Sequence, residues 1–182
     1  MTTNELTIET TIGDLTEERT DAIVNAANSA LLRGGGVCGA IFAKAGPGLD
    51  CFCAELSECP TGDARLTPAF DIPIRGIIHA VGPRWNGGNH GEAELLASAW
   101  RSSLQLAEAS GFRSIAFPSI STGIYGYPLD RAAVVVGRTL ADYARSRRAR
   151  PGSLELVRIV LRDGATMAIY DEAIREGRRL PG

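Results

Sequence analysis

Apolar and polar positions alternate through Leu6-Thr-Ile8-Glu-Thr-Thr-Ile12, the period of two that predicts a strand. Asp21-Ala-Ile-Val24 is instead a short apolar run that stops at Asn25, as in a strand buried on both faces. From Gly36 the period changes. Val37, Ala40, Ile41 and Ala45 predict a helix over 36–45, stopped by Pro47-Gly48, with another around Leu49 to Glu58. Ala64 to Phe70 and Gly76 to Val81 predict neighbouring strands around Asp71-Ile-Pro73, the second ended by Gly82-Pro83. Glu92 to Ser110 has the clearest helical pattern, with Ala93, Leu96, Trp100, Leu104 and Ala107 on one face and Gly111 as its cap. Ser114 to Phe117 predicts a strand that runs into Pro118. Pro128 opens a helix with Ala133, Val136, Leu140 and Tyr143 on one side. A last strand, Leu154 to Leu161, and a last helix, Ala165 to Glu176, complete the pattern.

Strands alternating with helices predict an α/β fold, a three-layer α/β/α sandwich with a mixed central sheet. Ligands of such sheets bind beyond the carboxyl ends of the strands. Two loops, Asn25 to Gly39 and Pro118 to Gly126, follow predicted strands and are expected to face one cleft. Arg84 to Gly91, rich in Gly and Asn, is the expected mobile loop.

The chain has 182 residues, 45% of them hydrophobic, which suits a single domain over 1–182. A formal charge of -2 gives no general attraction for nucleic acid. The late basic run Arg145-Ser-Arg147-Arg148-Ala-Arg150 reads as a solvated helix end. The N-terminus has neither a basic start nor an apolar core, and no apolar run approaches the roughly 20 residues of a membrane span. A cytoplasmic protein without a membrane partner is therefore expected, with Cys38, Cys51, Cys53 and Cys59 reduced. The cysteine spacing is poor for zinc, and no metal site is predicted.

Gly34-x-Gly36-x-x-Gly39 matches a dinucleotide fingerprint in letters only, because about ten residues separate it from its strand instead of a tight turn. No Gly-Lys-Ser/Thr of a Walker loop occurs. The physics of both motifs still holds. Glycines at a helix start let backbone N–H groups approach an anion or a sugar oxygen. Pro118-Ser-Ile-Ser-Thr-Gly-Ile-Tyr-Gly126 is a second small-residue turn that can form an anion nest. Two facing donor loops suit a diphosphate with sugars on either side; ordinary βα turns are the plainer alternative.

The segments Asp21-Ala-Ile-Val-Asn-Ala-Ala-Asn28, Gly34-Gly-Gly-Val-x-Gly39-Ala-Ile and Phe117-Pro-Ser-Ile-Ser-Thr-Gly-Ile-Tyr-Gly126 resemble the macrodomain family, closest to the MacroD type of ADP-ribosyl hydrolases and O-acetyl-ADP-ribose deacetylases. Ala45-Gly46-Pro47, Thr61-Gly-Asp63-Ala and Ile78-His-Ala-Val-Gly-Pro83 extend the resemblance, which covers residues 5 to 175. It implies an ADP-ribose site with no cofactor, serving ADP-ribose or ADP-ribosylated proteins. Asp21 would accept from the adenine amino group, with the Ile23 backbone nearby. Asn28 would bind the distal ribose. Gly35, Gly36, Val37 and the adjoining Cys38 would line ribose and phosphate. Ser121, Thr122, Gly123, Ile124 and Tyr125 would wrap the diphosphate, with the Tyr125 ring on the distal ribose. Arg162 would stack on adenine or stand exposed.

Two positions depart from the resemblance. The family carries aspartate where this chain has Cys38, and usually histidine where it has Phe42. Three readings of Cys38 stand open. It is a covalent nucleophile if a base such as His79 lies within reach. It is an apolar filler if the domain only reads ADP-ribosylated proteins. Or hydrolysis survives through a substrate phosphate that positions water, with Asn28, Gly36 and Tyr125 orienting the distal ribose. The third predicts a hydrolase that frees ADP-ribose from ester-linked acidic side chains or deacetylates O-acetyl-ADP-ribose.

Overall fold

The computed structural model of the chain describes residues 6–180. Residues 1–5 and 181–182, included in the expected domain, lie outside the described residues. The strands are β1 (Thr7–Ile12), β2 (Ala22–Ala26), β3 (Ala64–Thr67), β4 (Gly76–Ala80), β5 (Ser114–Phe117) and β6 (Leu156–Leu161). The helices are α1 (Gly36–Ala45), α2 (Pro47–Ala54), α3 (Glu92–Ala109), α4 (Leu129–Ala149) and α5 (Gly164–Arg179). The strands form one sheet in the order β1-β6-β5-β2-β4-β3. Only the β3–β4 pair is antiparallel, so the sheet is mixed as expected.

Strand alternation sorts the core into two halves. Ala22, Val24, Ile78, Ala80, Ile115, Phe117, Val157 and Ile159 pack with Leu96 and Trp100 of α3, Val136 of α4 and Tyr170 of α5. Ile23, Ile77, Ala116 and Val160 point the other way, onto Ile41 and Phe42 of α1 and Leu49 of α2. Helices thus cover both faces, giving three layers. Trp100 stacks on Phe117 with ring centroids 3.9 Å apart. On the outer side α4 and α5 cross through glycines. A Cβ on Gly137 would lie 2.2 Å from the Ala173 carbonyl oxygen, and one on Gly177 would lie 2.4 Å from that of Gly137. No single helix among the described residues is long and apolar enough to cross a membrane.

Several boundaries differ from the sequence pattern for local reasons. β3 stops at Thr67 because Pro68 has no N–H for the ladder, and Phe70 turns to a φ of 51°. α2 ends at Ala54 rather than Glu58, and the chain then turns back so that Cys59 donates to the Ser29 carbonyl at 2.8 Å. A short 3-10 turn, Leu15–Glu17, follows β1 and is capped by the Asp14 side chain. α4 runs through the basic cluster to Ala149, with Arg147 and Arg148 in its last turn, where the helix dipole favours cations.

The loop expected to be mobile is strapped at its base. The buried Glu92 carboxylate accepts from the backbone N–H of Asn86 (3.0 Å), Gly88 (2.9 Å) and His90 (2.7 Å). Burial pushes this carboxyl up, but those bonds, with its own N–H, outweigh burial and take it down to about 2.

Gly137→Ala should therefore lower stability by about 1–3 kcal/mol, the usual cost of overpacking. A urea midpoint shifted downward by that amount is the expected outcome; an unshifted midpoint would show that the helices separate at little cost.

Candidate functional site

Parallel strands bring the segments that follow β1, β2, β4, β5 and β6 to one edge of the sheet. The loop after β2 is closed on itself by Asn28. Its Nδ2 donates to the Leu32 carbonyl at 2.8 Å, and its Oδ1 accepts from the Leu32 N–H at 3.1 Å. The chain then runs through Gly34 and Gly35 into α1. Gly39 leaves the helix free to approach this loop: a Cβ there would sit 2.7 Å from the Gly34 carbonyl oxygen. Gly36 has a φ of +59°, a region side chains disfavour. The N–H groups of Gly35, Gly36, Val37 and Cys38 have no acceptor among the described residues, as at any uncapped helix start.

The loop after β5 forms the opposite wall. Gly126 donates to the Gly123 carbonyl at 2.9 Å and Tyr127 to that of Ser121 at 3.0 Å, which curls the chain between them. Ser121 sits at a φ of +68°, and the N–H groups of Ser121, Thr122, Gly123, Ile124 and Tyr125 have no acceptor among the described residues. The Ser119 hydroxyl bonds both the Thr122 hydroxyl and the buried Tyr170 hydroxyl, each at 2.7 Å, and ties this wall to the core. The two walls meet at their tips, where Ile124 Cδ1 lies 3.6 Å from where a Gly35 Cβ would be. Two rows of N–H groups without acceptors among the described residues thus lie in loops that touch at Gly35 and Ile124. Clustered free backbone donors of this kind suit an anion.

Beneath the first wall runs a buried polar chain. Asn25 Nδ2 donates to His79 Nδ1 at 3.0 Å. His79 Nε2–H therefore donates to Thr67 Oγ1 at 3.0 Å, and the Thr67 hydroxyl donates to the Pro68 carbonyl at 3.0 Å. Burial takes His79 down to about 4, so its imidazole is neutral. Phe42 packs edge-on against the His79 ring, within the core and not in the cleft.

Cys38 is buried, and its thiol has two neighbours: Asn25 Nδ2 at 3.6 Å and the Leu32 carbonyl at 3.8 Å. Neither is a base. The Asn25 amide stands between the thiol and His79, so the base required by the nucleophile reading is not beside it. Among the described residues no cluster of three His, Cys, Asp or Glu side chains is placed to hold a metal ion.

Asn28, Gly35, Gly36, Val37, Cys38 and Ser121 to Tyr125 are brought together. Arg162 is exposed at the carboxyl end of β6, on the same edge. Two expected residues are not at the cleft. Asp21 precedes the amino end of β2, at the opposite edge, where its carboxylate accepts from the N–H of Arg113 at 2.6 Å and Ser114 at 3.3 Å. Ile23 is buried, and its backbone is paired to β4 and β5. Asp14, directly after β1, and Asp163, directly after β6, are the carboxylates that follow strands on the cleft edge; both oxygens of Asp163 accept from Thr166. Asp14 is exposed, and its Oδ1 caps the 3-10 turn at Thr16 while Oδ2 has no partner among the described residues. The side-chain and backbone bonds from Thr16 hold it below the ordinary carboxylate range. Gly13-Asp14 at the end of a predicted strand was the signal that would have found it.

A family model described as Macro domain matches residues 24–136. An O-acetyl-ADP-ribose deacetylase of Salmonella gallinarum is 52% identical over 162 residues, which cover 87% of this chain and 88% of that protein. The chain belongs to the macrodomain family. Among solved structures, the Oceanobacillus iheyensis macrodomain with ADP superposes with a TM-score of 0.88 at 41% identity, covering 97% of this chain and 94% of that one. A Trypanosoma brucei macrodomain in complex with ADP-ribose gives 0.82 at 36% identity, over 92% of this chain and 68% of that one. The α/β sandwich and the family expected from the three glycine- and asparagine-bearing segments are both shown.

The buried His79 gives this macrodomain an acid dependence. The unfolded chain takes up the imidazole proton near 6.5 and the folded chain near 4, so stability is full above 6.5 and falls as pH drops through that window. The loss is on the order of 3 kcal/mol. His79→Gln should flatten that slope in urea titrations between those pH values; an unchanged slope would show that His79 is not its source.

Proposed function

We propose that this macrodomain binds ADP-ribose in the cleft and hydrolyses ADP-ribosyl esters there. The observation that carries the reading is the pair of donor rows, Gly35 to Cys38 and Ser121 to Tyr125, which meet between Gly35 and Ile124. A diphosphate set between them satisfies groups that have no other acceptor. The distal ribose then falls to Asn28, Gly36 and Tyr125. The adenine lies toward β1 and β6, where Asp14 Oδ2 accepts from its amino group and Arg162 offers a flat guanidinium. The adenine role thus passes from Asp21 to Asp14.

The solved relatives with ADP and ADP-ribose and the relatives named deacetylases support this reading. In the reaction the oxygen of water adds to the acyl carbon of the ester, the bond to the ribose oxygen breaks, and that oxygen leaves with a proton. With no base beside Cys38, a phosphate oxygen of the substrate takes the proton from water, and proximity supplies much of the rate. Cys38 lines the first wall and is neither nucleophile nor base. The same burial of Cys38 favours a second reading, a domain that recognises ADP-ribosylated proteins without cleaving them. Protein partners and a cytoplasmic site of action, where four thiols stay reduced, belong to this proposal too.

Release of acetate from O-acetyl-ADP-ribose separates the two readings: ADP-ribose binding with no release above buffer overturns the hydrolase. Where release is seen, Cys38→Ala should keep it and Cys38→Asp should raise it. Loss of all release in a folded Cys38→Ala would restore the nucleophile. Calorimetry tests the adenine end. Asp14→Asn, which keeps an acceptor for the Thr16 cap, should weaken ADP-ribose by about 1–3 kcal/mol, while Asp21→Asn should leave affinity as it is. The reverse order would return adenine to Asp21.

A further inference from the structure

Beyond Tyr125 stand two guanidinium groups that form no ion pair among the described residues. Arg84 lies over the Tyr125 ring, its Cζ 4.4 Å from the centroid. Arg131 lies over the Trp85 ring at 5.4 Å. Trp85 joins them: its ring packs on Tyr127 with centroids 4.7 Å apart, and its backbone N–H donates to the Tyr125 carbonyl at 2.8 Å. Both arginines are exposed, and neither has an ion pair or hydrogen bond among the described residues. Other arginines of the chain are ion-paired, among them Arg33 with Asp50, Arg113 with Glu155, and Arg158 with Glu9 and Glu18, whereas Arg162, like Arg84 and Arg131, has no ion pair among the described residues.

A guanidinium stacked on an aromatic ring is fixed in plane, while its N–H edge stays open to a carboxylate. The chain just after Arg84 is held in place, by the Trp85 backbone N–H on the Tyr125 carbonyl and by Glu92 on the N–H groups of Asn86, Gly88 and His90. The result is a positive edge set in place before any ligand arrives.

We propose that Arg84, backed by Arg131, selects substrates in which acidic side chains flank the ADP-ribosylated residue. The proposal rests on the reading of the cleft above: with the distal ribose against Tyr125, the modified side chain leaves the cleft beside Arg84. Charge complementarity then favours an acidic segment there over a neutral or basic one.

The test uses peptides that carry ADP-ribose through a non-hydrolysable linkage, with either Glu or Gln on both sides, and measures their dissociation constants at low salt. The Glu-flanked peptide should bind about two- to fivefold more tightly, as exposed charge pairs allow, and the difference should vanish in about 1 M salt. Arg84→Glu should reverse the preference and Arg84→Gln should abolish it. Equal affinities in the native protein, or a preference that survives both variants, would overturn the proposal. Free ADP-ribose controls for the site itself. Failure to bind it overturns the cleft reading and the proposal together; binding it with no preference between flanks overturns the proposal alone.

Discussion

Parallel pairing of five of the six strands is the constraint on which the site depends. Parallel strands cannot be joined by hairpins, so each connection crosses a face of the sheet and the next strand begins again at the same end. Every segment that leaves a carboxyl end is therefore delivered to one edge. Asp14, Asn28, Arg84, Ser121 and Arg162 are far apart in the chain and share that edge for this reason alone. Two of those segments go on to expose N–H groups that neither helix nor strand can satisfy. The cleft is thus a by-product of topology, made chemically specific by which loops are left short of acceptors.

The departure at Cys38 takes on meaning from what lies under it. A carboxylate there would meet the Asn25 amide and, behind it, a neutral imidazole committed to Thr67. The thiol meets the same groups with weak hydrogen bonds and little charge. Asn25 is left with its Oδ1 buried and without a partner among the described residues. The floor of the cleft is a polar chain that ends one bond short, directly beneath the wall that would carry ribose and phosphate. On the reading proposed above, the backbone donors, Asn28 and Tyr125 orient the substrate, and a cysteine in place of the family's aspartate leaves them untouched.

Much of this was legible in the sequence, since strand and helix periods are local and the alternation of the two limits the topology. The register of the two glycine loops followed from the strands before them. Asp21 and Asp14 both adjoin strands, and only the end of the strand to which each belongs separates them, so the sequence pattern alone did not place Asp21 away from the cleft edge. Asp21 comes before β2, whereas Asp14 comes after β1. The rule that ligands lie beyond carboxyl ends already favoured the second. The boundaries of α2 and β3 were less legible, because the bond from Cys59 to Ser29 and the turn at Phe70 are set by contacts outside those elements. The bonds that three backbone N–H groups donate to Glu92 left no periodic trace at all.

Those three bonds bear on timing as well as shape. A carboxylate held down by three backbone N–H groups stays ionised at neutral pH, so the segment it gathers is ordered without a ligand. Its conformational entropy is surrendered once, during folding. Encounter with substrate at that side of the mouth should then proceed as a single bimolecular step, its speed set by diffusion and orientation, with no slow isomerisation to saturate the observed rate at high concentration.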